Sequence, residues 1–292
     1  MSALEAAVAR TLSATLGRPV SIQRRTPLGG GSISDTARID TTAGAFVLKS
    51  LVDAPAGLFR SEAAGLMALG ASGATLTVPQ VIVCHDAAPP FLVIEYLASG
   101  RRAGDFDERL GRGLAELHRT TSARYGFEMD NFCGATPQVN TWDDSWVAFY
   151  GRERLGRQIE RARRAGLMSR ADTVAVESLI GRLDRWLPEP AHGPSLVHGD
   201  LWSGNLHVDA SGRPAIIDPA VYFADREADF GIMTLFGGFG ARVFEAYDEV
   251  FPLDPEWRDR NGLYQLYHLL NHLNLFGQAY HGQVMRIVTR YV

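Results

Sequence analysis

Apolar residues recur at helical spacing in some stretches of the chain and bunch or alternate in others. Residues 2–17 place Leu4, Val8, Leu12 and Leu16 four apart, with Gly17 as a stop, which predicts an amphipathic helix. Strand-like runs follow at 20–26, 36–40 and 45–50, the last two around Thr42-Ala43-Gly44. A helical stripe of Leu58, Leu66 and Leu69 marks 58–69, and strands are predicted at 78–83 and 91–96. Phe91-Leu92-Val93-Ile94 is apolar without a break, as a central strand would be. Beyond Ala98-Ser99-Gly100-Arg101-Arg102, a composition suited to a hinge, the pattern becomes helical: 106–119, 142–165, 172–187, a helix from 225–229 through Leu235, 241–251 and 257–280. Residues 126–146 fit neither period and read as irregular, a candidate pocket lining. The fold class predicted is α+β, with a smaller sheet-bearing lobe at 1–98 and a larger, mainly helical lobe at 99–292.

Composition narrows the function classes. A chain of 292 residues with 46% hydrophobic and 21% charged residues has ample material for a core. A net charge of −4 with no basic run gives no footprint for nucleic acid. Cys84 and Cys133 alone cannot build a disulfide framework, and neither lies in a C-x-x-C pair. Glu5 and Arg10 interrupt any signal-peptide core, and no apolar run approaches the ~18 residues of a membrane span. A cytoplasmic protein with no membrane partner is expected.

The chemistry concentrates in 196–231. Asp200 precedes Asn205 by five residues, and Asn205 precedes Asp218 by thirteen. His198-Gly199-Asp200 through Asn205 repeats the spacing of the kinase loop H-R-D-x-x-x-x-N. Between Asn205 and Asp218, Leu206-His207-Val208 and Ala215-Ile216-Ile217 flank the turn Asp209-Ala210-Ser211-Gly212, a hairpin that would bring both acceptors to one cation. Gly29-Gly30-Gly31-Ser32 between two strands suits a phosphate cradle, although a glycine triplet taken alone is more often a flexible hairpin tip; no Gly-Lys-Ser/Thr follows, which disfavours a Walker A loop. Lys49 ends an apolar strand and Glu62 lies on the next helix, the order in which a kinase places its phosphate-binding lysine and that lysine's partner. Taken singly, either is a solvated charge. Adenine is expected against the strand end at Glu95–Leu97. His118 reads as a packed helix-end histidine, and Arg154, Arg157, Arg161 and Arg164 as a solvated helix face. His268 and His272 are four apart, a possible metal pair, although no glutamate completes H-E-x-x-H and packing or substrate-pocket roles fit better.

With these residues in order, the chain resembles the fructosamine-3-kinase (ketosamine-3-kinase) family, within the protein-kinase-like superfamily of aminoglycoside and choline kinases. The resemblance runs from Leu28 to near the C-terminus. It is clearest in Gly126–Trp146, in His198-Gly199-Asp200-Leu201-Trp202-Ser203-Gly204-Asn205, in Ile217-Asp218-Pro219-Ala220-Val221-Tyr222, in Arg226-Glu227-Ala228-Asp229 and in Tyr264–Gln278. It implies a bilobal kinase-like fold and ATP- and Mg²⁺-dependent phosphorylation of the 3-hydroxyl of a ketosamine, free or protein-bound, leading to deglycation. It further implies Asp200 as base, Asn205 and Asp218 as metal ligands, and Gly29, Gly30, Gly31, Ser32, Lys49, Glu62, Glu95 and Leu97 around the nucleotide. His198 and Asp229 would support the loop, with Trp202 and His272 near the substrate. Ser32 stands where some members carry cysteine, so a redox-switched loop is not expected. Pro219 after Asp218 argues against activation by flipping that segment. A related aminoglycoside- or choline-type kinase and a nucleotide-binding pseudoenzyme scaffold are the alternatives.

Overall fold

The computed structural model describes residues 2–29 and 34–292. Helix α1 (Ala3–Leu16) starts at a capping box. The Ser2 hydroxyl accepts from the Glu5 N–H, the Glu5 carboxylate accepts from the Ser2 N–H, and left-handed Gly17 ends the helix. Strands β1 (Ile22–Pro27), β2 (Asp35–Thr41) and β3 (Gly44–Ser50) follow, then α2 (Leu58–Ala71), β4 (Val81–His85) and β5 (Phe91–Glu95). The five strands form an antiparallel sheet in the order β1-β2-β3-β5-β4.

Helices cover both faces of this sheet. Val8 and Leu12 of α1 pack with Ile39, Leu48, Phe91 and Val93 on one side. Phe59, Ala63 and Leu66 of α2 pack with Leu92 and Ile94 on the other. That is why β5 reads as an unbroken apolar run: alternate residues bury against different helices. The same alternation sends Lys49, next to inward-facing Leu48, to the α2 side.

The remainder is mainly helical around one large core. After α3 (Phe106–His118), the stretch expected to be irregular contains a hairpin, β6 (Asn131–Cys133) and β7 (Thr136–Gln138), whose three-residue strands are too short to show a period. The helix expected over 142–165 begins at Trp146, on a Ser145 cap, and is not uniform. α4 (Trp146–Phe149) passes into a π-helical segment, Tyr150–Gly156, before α5 (Arg157–Arg164). The wider π turns shift the angular phase, and the predicted arginine face breaks up. Arg154 is wholly buried, its guanidinium 3.9 Å from the Tyr222 ring and donating to Val139 O and Asn140 Oδ1. Arg157, Arg161 and Arg164 remain outside.

Helix α6 (Arg170–Ile180) also starts at a capping box, Ser169 with Asp172, and stops short of the predicted 187, where a 3₁₀ turn at Leu183–Arg185 replaces it. β8 (Ser195–Val197) leads into the His198 loop; the hairpin β9 (Leu206–Val208) and β10 (Pro214–Ile216) has the predicted form, and β11 (Tyr222–Ala224) returns to pair with β8. The chain closes with α7 (Glu227–Leu235), α8 (Ala241–Val250), α9 (Trp257–Phe276) and α10 (His281–Tyr291). Gly277, with φ 87°, stops α9 before the predicted 280 and permits the separate last helix. The β9–β10 hairpin is stitched to the segment after β5: Gly100 N–H donates to Val208 O, Ala103 N–H to Gly212 O, and His207 Nε2–H to Leu97 O. No described helix is long and apolar enough to cross a membrane.

Candidate active site

The loop after β8 is held from beneath by one carboxylate. Asp229, in the first turn of α7, accepts from the His198 N–H and the Gly199 N–H at 2.8 Å each, and from His118 Nε2–H at 3.1 Å. His118 is a packed histidine, as expected, with Nδ1 2.9 Å from the Tyr247 hydroxyl. Asp229 is wholly buried, which alone would raise its pKa; the His118 bond and the neighbouring donors outweigh burial and hold it below the usual range. Gly199 is irreplaceable here: its φ is 81°, and a Cβ would lie 2.1 Å from Ala220 O. His198 donates through Nε2 to Ile217 O at 3.0 Å while Nδ1 accepts from the Asp200 N–H at 3.3 Å, and burial keeps the ring neutral.

Asp200 therefore projects from a fixed backbone into the crevice. Its pKa is raised to about 8, first by desolvation and then by the charge of Asp218. Asn205 bridges the two aspartates: its Nδ2 donates to Asp200 O at 2.8 Å, to Asp200 Oδ2 at 3.3 Å and to Asp218 O at 3.4 Å. The hairpin does bring its ends together, since the Ile217 N–H donates to Asn205 O. Asp218 sits at φ 55°, a left-handed conformation costly for a residue with a side chain.

Across the crevice, Lys49 is nine-tenths buried and donates to both Glu62 Oε1 and Asp218 Oδ1. Burial alone would lower its pKa; the two carboxylates outweigh that and keep it cationic. The triad joins the sheet, α2 and the hairpin. Beside it lies a cavity of about 280 Å³ whose lining includes Leu28, Gly29, Val47, Glu95, Leu97 and Ile217. Part of the Glu95–Leu97 edge is already engaged: the Glu95 N–H donates to Gln80 O, and Leu97 O accepts from His207. Gly30, Gly31 and Ser32 lie outside the described residues.

On the other side of Asp200 is a second pocket, shared by Trp202 and His272 with Cys133, Phe236, Phe276 and Tyr280. The Trp202 indole lies against Gly204, where a Cβ would meet the ring at 2.2 Å. His272 donates its Nδ1–H to His268 O at 2.8 Å, a bond within the helix. His268 comes together with Cys133 and Asp200, one donor atom of each lying within 4.8 Å of the others, while burial and His272 hold the His268 pKa down to about 3. Sequence reasoning passed over Phe236, Phe276 and Tyr280. They come from three separate elements, and only Gly237-Gly238 and Gly277, beside two of them, hinted at special geometry.

A sheet-borne cation facing a carboxylate-lined loop across one crevice is the arrangement of kinase-like phosphotransferases. The family model for fructosamine kinases matches residues 4–292, and the chain belongs to that family. It is 39% identical over 284 residues to a probable ketoamine kinase of Synechocystis sp., covering 96% of this chain and 94% of that one. It is 37% identical to the chloroplastic protein-ribulosamine 3-kinase of Arabidopsis thaliana, covering 95% and 85%. A crystal structure from Thermobifida fusca, provisionally named a fructosamine-3-kinase, superposes with a TM-score of 0.87 at 33% identity, covering 97% and 98%.

Proposed function

We propose that the protein transfers the γ-phosphoryl group of ATP to the 3-hydroxyl of a ketosamine, free or protein-bound, in the cytoplasm, and that the labile product returns the free amine. The observation that carries this reading is Asp200: a carboxylate on an Asp229-braced loop, open to the acceptor pocket on one side and to Asn205 and Asp218 on the other. Family membership supports the acceptor class.

In this reading Asp200, ionised when a cation offsets the Asp218 charge that helps raise its pKa, accepts a hydrogen bond from the sugar hydroxyl and takes its proton as the oxygen–phosphorus bond forms and the bond to the ADP oxygen breaks. Lys49 binds the α/β-phosphates and Glu62 orients Lys49. The backbone of Gly29, Gly30, Gly31 and Ser32 covers the phosphates, and Glu95–Leu97 border the adenine. His198 and Asp229 keep the loop rigid. Residues 1–98 serve as the nucleotide lobe and 99–292 as the catalytic lobe.

The donor set fits Mg²⁺. Asn205 spends its amide nitrogen on the backbone oxygens of Asp200 and Asp218, which reserves its carbonyl oxygen, and the Asp218 side chain keeps 36% exposure. When bound with the nucleotide, the ion neutralises phosphate charge, and these two residues would hold it.

An acceptor panel tests the proposal. ATP-dependent phosphorylation of ribulosamines or fructosamines, with the phosphate assigned to the 3-position by NMR, is the expected result. Turnover of aminoglycosides or choline in their place sinks it. A pseudoenzyme scaffold would bind nucleotide and turn over none of them.

A further inference from the structure

The acceptor pocket has more apolar surface than a sugar needs. About 500 Å³ in all, it runs from Asp200 and Trp202 along Phe236, His272, Phe276 and Tyr280. Three of these are among the few large hydrophobic side chains left in water: Trp202 at 38% exposure, Phe236 at 43% and Phe276 at 59%. They are not scattered. Phe236, Phe276 and Tyr280 pack around the His272 ring at centroid distances of 4.9, 5.3 and 5.1 Å. Solvated aromatics gathered beside a reactive group mark a binding surface rather than incidental exposure.

The backbone holds this surface in place. Phe236 follows the last turn of α7, where Gly238 lies so close to Ser203 that a Cβ would be 2.6 Å from the Ser203 Cβ. Phe276 ends α9 at Gly277, and Tyr280 lies in the turn before α10. His272 is fixed as well: its Nδ1–H donates to His268 O at 2.8 Å, so Nε2 is the acceptor end of a neutral ring. Among the described residues of the lining Asp200 is the only acid, and there is no lysine or arginine. A polycation finds Asp200 alone and an anionic substituent no counter-charge; an apolar group finds aromatic faces.

We propose that this shelf receives the substituent on the ketosamine nitrogen and selects adducts of amines that carry a bulky apolar group. The proposal rests on the ketosamine reading above. It assigns the sugar to the Asp200–Trp202 end, with the secondary ammonium next to it within reach of His272 Nε2 and the indole face. Phe236, Phe276 and Tyr280 are then specificity residues for the amine.

The test compares ketosamines of one pentose built on three uncharged-tail amines, methylamine, 3-methylbutylamine and 2-phenylethylamine. From methylamine to 2-phenylethylamine kcat/KM is expected to rise roughly tenfold or more, mostly through KM, the scale of discrimination an apolar pocket supplies. Phe236→Ala and Phe276→Ala, both truncations of exposed side chains, are each expected to compress that ratio to about threefold or less. Equal kcat/KM for the three adducts, or an undiminished ratio in both variants, overturns the shelf and leaves the kinase reading standing. Phosphorylation of none of the three overturns both.

Discussion

Asp200 shows how few atoms the chemistry needs once the backbone beneath them is fixed. In the proposed reaction its partner is the hydroxyl to be phosphorylated, and among the described residues no other carboxylate lines that pocket. Asp200→Asn is expected to lower kcat by roughly two to four orders of magnitude while leaving nucleotide affinity near wild type, since proton abstraction is lost and the phosphate side untouched. Single-turnover kinetics and nucleotide titration measure the two separately. Asp218→Ala acts on the opposite side: Mg²⁺-dependent nucleotide binding should disappear, and intact binding would show that the metal ligands lie elsewhere. The Asp200–Asn205–Asp218 set was legible in the sequence because a tight hairpin leaves its two ends no choice but proximity. Phe236, Phe276 and Tyr280 were not, since nothing in one dimension announces that a glycine turn, a helix end and a 3₁₀ turn converge.

At the scale of elements, legibility followed burial pattern and length. α1, α2 and β5 declare themselves through stripes or runs that each bury against a definite neighbour. β6 and β7 are too short to carry a period, and α10 was hidden by a stop at Gly277 that the apolar pattern of α9 overran. Arg154 was misread for a different reason, because a helix wheel assumes α geometry and the segment is π-helical. It is a buried cation with neutral acceptors, so Arg154→Ala, which leaves the Val139 and Asn140 oxygens without donors and opens a hole under Tyr222, should cost about 3–5 kcal/mol by denaturant unfolding. The β9–β10 turn offers a gentler test. Asp209 accepts from the Ser211 N–H and hydroxyl, the Arg213 N–H and the Thr77 hydroxyl; burial opposes ionisation, the donors outweigh it, and the pKa falls to about 2. A depressed folded pKa contributes stability above the unfolded value of about 4 and loses it as pH falls through about 2. Asp209→Asn should therefore be less stable than wild type at pH 7, with the gap closing progressively below pH 4 in urea melts.

For the whole molecule, the decisive contact is the one that Lys49 makes to both halves at once. Glu62 belongs to α2, Asp218 to the hairpin, and the lysine between them is nine-tenths buried. A nucleotide with Mg²⁺ should raise the melting temperature, with the gain growing as the logarithm of ligand concentration. Chelation of the metal should remove that gain, and Glu62→Ala should weaken nucleotide binding while sparing the fold.

The ammonium of Lys49 already stands against the Asp218 oxygen that a divalent ion would seek. It is a resident counter-ion, so if Asp218 holds Mg²⁺ as proposed, loading the site would be an exchange in which one cation displaces another while the incoming phosphates would compensate the lysine for its lost partner. Free Mg²⁺, arriving without phosphates, offers no such compensation and should bind feebly. Lys49→Met vacates the position, so the variant should take up Mg²⁺ more tightly than wild type in the absence of nucleotide and bind ATP more weakly in its presence. Opposite movements of those two affinities, read by calorimetry, are what a built-in placeholder predicts and a simple vacant metal site does not.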